Sequence, residues 1–125
     1  MPVWNIESIE DRPDVTLSDW AAFEVPLNGP DQPWTRHLAG WSREDCQGQV
    51  CSAVQRFDPV TGSCLTESGR VYRLHGRPGM TADAQYVWSR WKRIASVTEQ
   101  RNVTQETFEA IQAAKAPSAA PEPLP

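Results

Sequence analysis

Hydrophobic and polar positions alternate along the first part of the chain and take a helical period near its end. Val3 to Glu10 places Trp4 and Ile6 on one side and Val3, Asn5, Glu7 and Ile9 on the other, which predicts a strand. Asp11-Arg12-Pro13-Asp14 reads as a turn. Leu17 to Val25 fits two states: a short helix capped by Ser18 or Asp19, or a strand with Phe23, Val25 and Leu27 on one face. Asn28-Gly29-Pro30-Asp31-Gln32-Pro33 is a loop, Thr35 to Trp41 a strand, and Ser42 to Gly48 a polar connection. Gln49 to Phe57 reads as one strand, with Val50, Ser52 and Val54 opposite Cys51, Ala53 and Phe57. The sharpest local signal is Asp58-Pro59-Val60-Thr61-Gly62, where proline presets a type I turn and glycine supplies the left-handed residue that closes it. Ser63 to Glu67 then returns, Ser68-Gly69 turns, and Arg70 to His75 forms the next strand. Residues 49–75 are thus expected to form a three-stranded antiparallel meander.

After Gly76-Arg77-Pro78-Gly79 the period changes. Thr81 is placed to cap a helix with Asp83 in its first turn, where a negative charge suits the helix dipole. Ala84, Val87, Trp88, Trp91, Ile94 and Ala95 make one apolar stripe. A second, shorter helix is expected from Thr104 to about residue 115, with Val103 and Phe108 as a hydrophobic staple and Phe108, Ile111 and Ala114 as its stripe. The expected fold is α+β: a small antiparallel sheet of about five or six strands, packed by one longer and one shorter C-terminal helix. Residues 1–115 make the single domain, and the Pro/Ala-rich residues 116–125 are expected to form a disordered tail.

Composition narrows the class. The chain has 125 residues, 39% of them hydrophobic, and six tryptophans, enough to build one core and to exclude disorder throughout. No apolar run approaches the roughly 20 residues of a membrane-spanning helix. The start of the chain shows neither a basic segment nor an apolar run of the secretory kind. Cys46, Cys51 and Cys64 are therefore expected as free thiols, and the protein is expected in the cytoplasm.

The net charge of −4 hides an uneven layout. Residues 1–45 hold nine acids against Arg12, Arg36 and Arg43. Residues 70–93 hold Arg70, Arg73, Arg77, Arg90, Lys92 and Arg93 against Asp83 alone. Such a basic segment, interleaved with Tyr86, Trp88 and Trp91, is the pattern of a nucleic-acid face. It equally fits a basic segment neutralised by the acidic half. Helical spacing turns Trp88 and Trp91 toward the core, which leaves the cations as an ordinary solvated face.

Other chemistry is weaker. The three cysteines with His37 and His75 supply zinc-type ligands, yet no pair has C-x2-C spacing and Cys51 and Cys64 fall within strands, so no metal and no cofactor is expected. The same side chains could pair a nucleophile with a base, but no nucleophile elbow surrounds them, and no catalytic residue is assigned. Gly76 to Thr81 leads into a helix N-terminus, an anion-friendly geometry. It lacks any nucleotide fingerprint, and Pro78 removes one donor. Trp34 and Trp41, which flank the Pro/Gly loop and the strand after it, are the tryptophans expected to stay accessible, with Arg36 between them. Trp and Arg are enriched where protein partners bind most tightly.

The run Thr66 to Gly79 (TESGRVYRLHGRPG) and the following Asp83 to Trp91 (DAQYVWSRW) resemble small uncharacterised proteobacterial proteins, some of which travel with plasmids, phages or integrative elements. The resemblance covers about a third of the chain. It implies an accessory protein of mobile elements and transfers no site residue. The expected function is a non-catalytic accessory protein that binds an unknown protein partner through Trp34, Arg36 and Trp41. The alternative is nucleic-acid binding through the 70–93 cations. An enzyme of unknown class ranks third. No membrane association is expected.

Overall fold

The computed structural model describes residues 14–115. The predicted strand at residues 3–10 and the tail at 116–125 lie outside these. The described chain runs β1 (Asp14–Val25), β2 (Thr35–Ser42), β3 (Gln47–Val50), β4 (Val54–Asp58), β5 (Ser63–Thr66), β6 (Val71–His75), α1 (Ala82–Ile94), β7 (Arg101–Asn102) and α2 (Thr104–Lys115). This is an α+β fold with a seven-stranded, mostly antiparallel sheet and two helices near the C-terminal end. The helices have nearly equal lengths, 13 and 12 residues, rather than one long and one short.

The sheet order is β3-β2-β1-β6-β5-β4, with the two-residue β7 beside the end of β1. It consists of two three-stranded antiparallel meanders, β1-β2-β3 and β4-β5-β6. They join along a parallel seam in which Asp14 to Ser18 pairs with Val71 to His75. The expected meander over 49–75 is therefore half of the sheet.

The single strand expected over Gln49–Phe57 is two strands, β3 and β4, at opposite margins of the sheet. Cys51 still belongs to the first: its N–H donates to Leu38 O at 3.0 Å. The chain then turns through Ser52 and Ala53. Cys51 and Ala53 stay buried through this corner, so the alternation continues where the strand does not. The short link also fixes the shape of the sheet. Val50 and Val54 can lie at most about 14 Å apart, whereas six flat strands would separate the margins by about 24 Å. The sheet must curl until its margins meet.

Its concave side holds Val15, Leu17, Trp20, Ala22, Leu38, Cys51, Cys64 and Tyr72, covered at one end by Val103, Ile111 and Phe108. Its convex side, over β1 and β2, holds Ala21, Phe23, Val25 and Ala39 beneath Trp88, Trp91 and Val97. With side chains buried on both sides, β1 lacks simple alternation, which is why its sequence also fitted a helix. A bulge completes the disguise. The register shifts between Ser18 and Ala21, and Asp19 takes a left-handed φ of 47°. The extra residue moves the concave set from odd positions (Val15, Leu17) to even ones (Trp20, Ala22).

Local signals set the remaining boundaries. Gly62 closes its turn with φ 71° and donates to Asp58 O at 2.8 Å, and Asp58 Oδ1 receives Val60 N–H at 3.0 Å. Thr81 Oγ1 caps α1 by accepting Ala84 N–H at 3.1 Å. Ala84, Val87 and Trp88 face the sheet as the spacing predicts. Ile94 does not: it is 69% exposed. The chain turns at Ser96 (φ 59°), and Val97 takes the core position instead. In α2, Ile111 is buried, Phe108 is half-buried and Ala114 is exposed, while buried Thr107 donates its hydroxyl to Val103 O at 2.7 Å. Among the described residues no helix is long and apolar enough to cross a membrane.

Candidate functional site

The hairpin register sets Glu24 of β1 opposite Arg36 of β2, and β7 sets Arg101 opposite Glu24 on the other side. A carboxylate thus stands between two guanidinium groups in one row across three strands. Arg36 donates through Nε at 3.3 Å and Nη2 at 3.0 Å to Glu24 Oε2. Arg101 Nη2 lies 3.1 Å from Glu24 Oε1. Glu106 of α2 adds a looser contact to Arg36 at 3.7 Å. The Glu24 side chain is 22% exposed, so each pair contributes no more than about 1 kcal/mol. The row's main effect is to fix geometry.

Arg101, held in that row, stands with its guanidinium carbon 4.2 Å from the centre of the Trp34 ring. This is cation–π distance. Trp34 is half-buried and, with Pro26, Gly29, Pro30 and Glu99, lines an open cleft of about 310 Å³. The loop behind it turns twice, with Gly29 N–H donating to Pro26 O and Gln32 N–H to Gly29 O. Prolines and this turning keep the cleft wall short of conformational freedom.

The structure brings Trp34 and Arg36 together and places Trp41 apart. Trp41 lies at the far end of β2, about 20 Å along the strand. It pairs with Ser18 and Gly48 and is half-buried on the side facing α1. Glu24, Arg101, Glu106 and Glu99 escaped the sequence reading. Glu24 and Glu106 meet Arg36, Arg101 meets Trp34, and Glu99 shares the cleft with Trp34, all through the tertiary fold. Only the Arg36–Glu24 pairing could have been found, had the ends of the hairpin been known.

The six cations of 70–93 are divided. Arg70 is 6% exposed, and its side chain hydrogen-bonds the Tyr72 phenol. Arg73 pairs with Asp14 at 2.6 Å, an acidic residue neutralising a basic one across the seam. Arg77 lies on the loop before α1 and lines one cleft with Lys115 of α2. Arg90, Lys92 and Arg93 share α1, which packs on β2 and β3, two strands away from β6. Arg90 stands 6.0 Å from the centre of the Tyr86 ring, and Tyr86 is 58% exposed. The glycine loop is occupied by its own fold: Gly79 N–H donates to Trp20 O, and Gly76 O accepts the Trp20 indole N–H.

His37 and the thiols do not form a nucleophile–base pair. His37 Nδ1 bonds the Cys51 carbonyl at 3.0 Å, and Cys51 Sγ receives Leu38 N–H at 3.1 Å. Burial pushes both the Cys51 and the Cys64 thiol up to about 12, so both stay protonated near neutral pH. Cys46 is exposed, and all three thiols are free. Among the described residues no three His, Cys, Asp or Glu side chains gather in a group that could hold a metal ion. No family model, curated protein or solved structure matches the chain.

Proposed function

We propose that the protein acts by binding another protein, with the Trp34 edge of the sheet as its contact surface. The observation that carries this reading is the Trp34–Arg101 stack, held by the Arg36–Glu24–Arg101 row beside the cleft of Pro26 and Pro30. Tryptophan and arginine dominate binding energy at protein interfaces. Here both are already fixed, so little side-chain freedom is lost on association. Trp41 lies on the opposite face of β2 from Arg36, so it falls outside this surface. The resemblance to accessory proteins of mobile elements fits a binding role without catalysis in the cytoplasm. The test is capture of a partner from the native host by the whole protein, followed by direct titration of that purified partner. Trp34→Ala is expected to weaken binding by about 2 kcal/mol or more. Equal affinity for wild type and Trp34→Ala overturns the proposal.

A second reading, nucleic-acid binding, is favoured by one observation: exposed Tyr86 beside Arg90 on the helix that also carries Lys92 and Arg93. It requires measurable affinity for DNA or RNA at low salt, weakened by Arg90→Ala with Arg93→Ala. Absence of affinity at low salt removes it.

A further inference from the structure

An open cleft of about 500 Å³ lies on the convex side where one edge of β1 has no neighbouring strand, between the end of its pairing with β6 at Ser18 and the start of its pairing with β7 at Phe23. Its volume lies in the range of small-molecule sites. Phe23 and Trp88, stacked at 4.7 Å, line its apolar part with Met80 and Pro78. Gln85, Lys92, Gln100 and Asn102 supply the polar part.

Gln100 Oε1 accepts the Trp88 indole N–H at 3.0 Å and Lys92 Nζ at 2.6 Å. Both partners can only donate, so the amide orientation is forced and its NH2 end keeps its donors. Asn102 Oδ1 likewise accepts Thr104 N–H at 2.9 Å, which leaves that NH2 free as well. Thr104 Oγ1 is used up between the N–H and the carbonyl of Ala22. The side-chain oxygens of Gln100 and Asn102 are thus consumed by the fold, while their NH2 donors remain, as do the other two N–H donors of Lys92, whose ammonium is held by Gln100 and stands 5.8 Å from the centre of the Trp88 ring. Among the described residues no carboxylate lines the cleft. Asp19 approaches the lining residue Gly79, where a Cβ would stand 3.2 Å from Asp19 Oδ1.

We propose that this cleft binds a small monocarboxylate with a flat apolar body. The carboxylate would accept from Lys92 and from the amides of Gln100 and Asn102, and the apolar body would rest on Pro78 and Met80, with the buried Phe23–Trp88 stack as the floor beneath. One ammonium among neutral donors matches a single negative charge. A phosphate dianion would leave one charge unmatched by the single ammonium.

The test uses benzoate as the probe on the full chain, followed by NMR of the side-chain amides. The expected result is saturable shifts of the Gln85, Gln100 and Asn102 amides and of the Trp88 indole N–H below about 10 mM benzoate. Benzamide and phenyl phosphate should bind roughly tenfold more weakly or worse. Lys92→Met should weaken benzoate by about tenfold, and Lys92→Arg should retain most of the affinity. An unchanged melting temperature in Lys92→Met separates loss of binding from loss of fold. Absence of saturable shifts, equal binding of benzamide, or unchanged affinity in Lys92→Met overturns the proposal.

Discussion

Gln49 Nε2 donates to Tyr72 Oη at 2.9 Å, although their strands, β3 and β6, lie three places apart in the sheet. Only a curled sheet lets these side chains meet across its concave side. Both are buried, and Gln49 Oε1 has no hydrogen-bond partner of its own. Tyr72→Phe therefore leaves a buried amide without either contact. The expected loss is about 1–3 kcal/mol in urea unfolding. Adding Gln49→Leu removes the stranded amide, so the double variant should be less destabilised than the sum of the two single variants.

Gly48 marks the closest approach of α1 to the sheet. A Cβ there would stand 2.6 Å from the Asp83 carbonyl carbon and 2.7 Å from Ala84 N, both backbone atoms. No side-chain rotation can relieve that contact. Gly48→Ala is expected to destabilise by about 2 kcal/mol or more and to shift the Ala84 amide resonance as the helix start lifts away.

The thiols should separate by reactivity. At mildly alkaline pH an alkylating reagent is expected to label one cysteine, Cys46, in the folded protein and all three after unfolding. Labelling of Cys51 or Cys64 without unfolding would show that the concave core opens. The linkage runs toward alkali. Both buried thiols ionise near 12 when folded, against an ordinary value of 9.0. Their contribution to stability is whole below 9.0 and lost as pH rises toward 12.

His37 should act in the other direction. It is 1% exposed, its ring 4.5 Å from that of Trp91. The Cys51 carbonyl can only accept, so Nδ1 carries the proton, and Nε2 accepts from Thr35 Oγ1 at 2.7 Å. Burial lowers its pKa below 6.5, partly offset by the Cys51 carbonyl and the Glu67 charge. Its neutral state thus supports folding above 6.5, and stability falls below that value as the unfolded chain takes up the proton first. His37→Asn is expected to show a shallower loss of urea stability between about pH 7 and pH 5.

Much of the fold could be read from local chemistry. The Asp58–Gly62 turn, the Thr81 cap and the Trp88 side of α1 follow from a few residues each, because their partners lie within four positions. The α+β class follows from the change of period after His75. The parallel seam was hidden, since nothing in Asp14–Ser18 names Val71–His75 as its partner. The corner at Cys51–Ala53 was hidden because alternation carries through it. For the candidate site, Trp34 and Arg36 were visible as residue types beside a loop. The row that fixes them was not, because Glu24 and Arg101 are 77 positions apart and meet only in the folded sheet.

The seam also orders the work of folding. Each meander closes through short local loops, whereas the seam pairs residues 57 positions apart, from Asp14 with Val71 to Ser18 with His75. Loop-closure entropy makes such a contact slow to form, and it is repaid only once both halves are in shape. Closing the seam should then limit how fast the chain folds, and variants at the Asp58–Gly62 turn, which forms before it, should slow refolding in stopped-flow measurements with little change in unfolding.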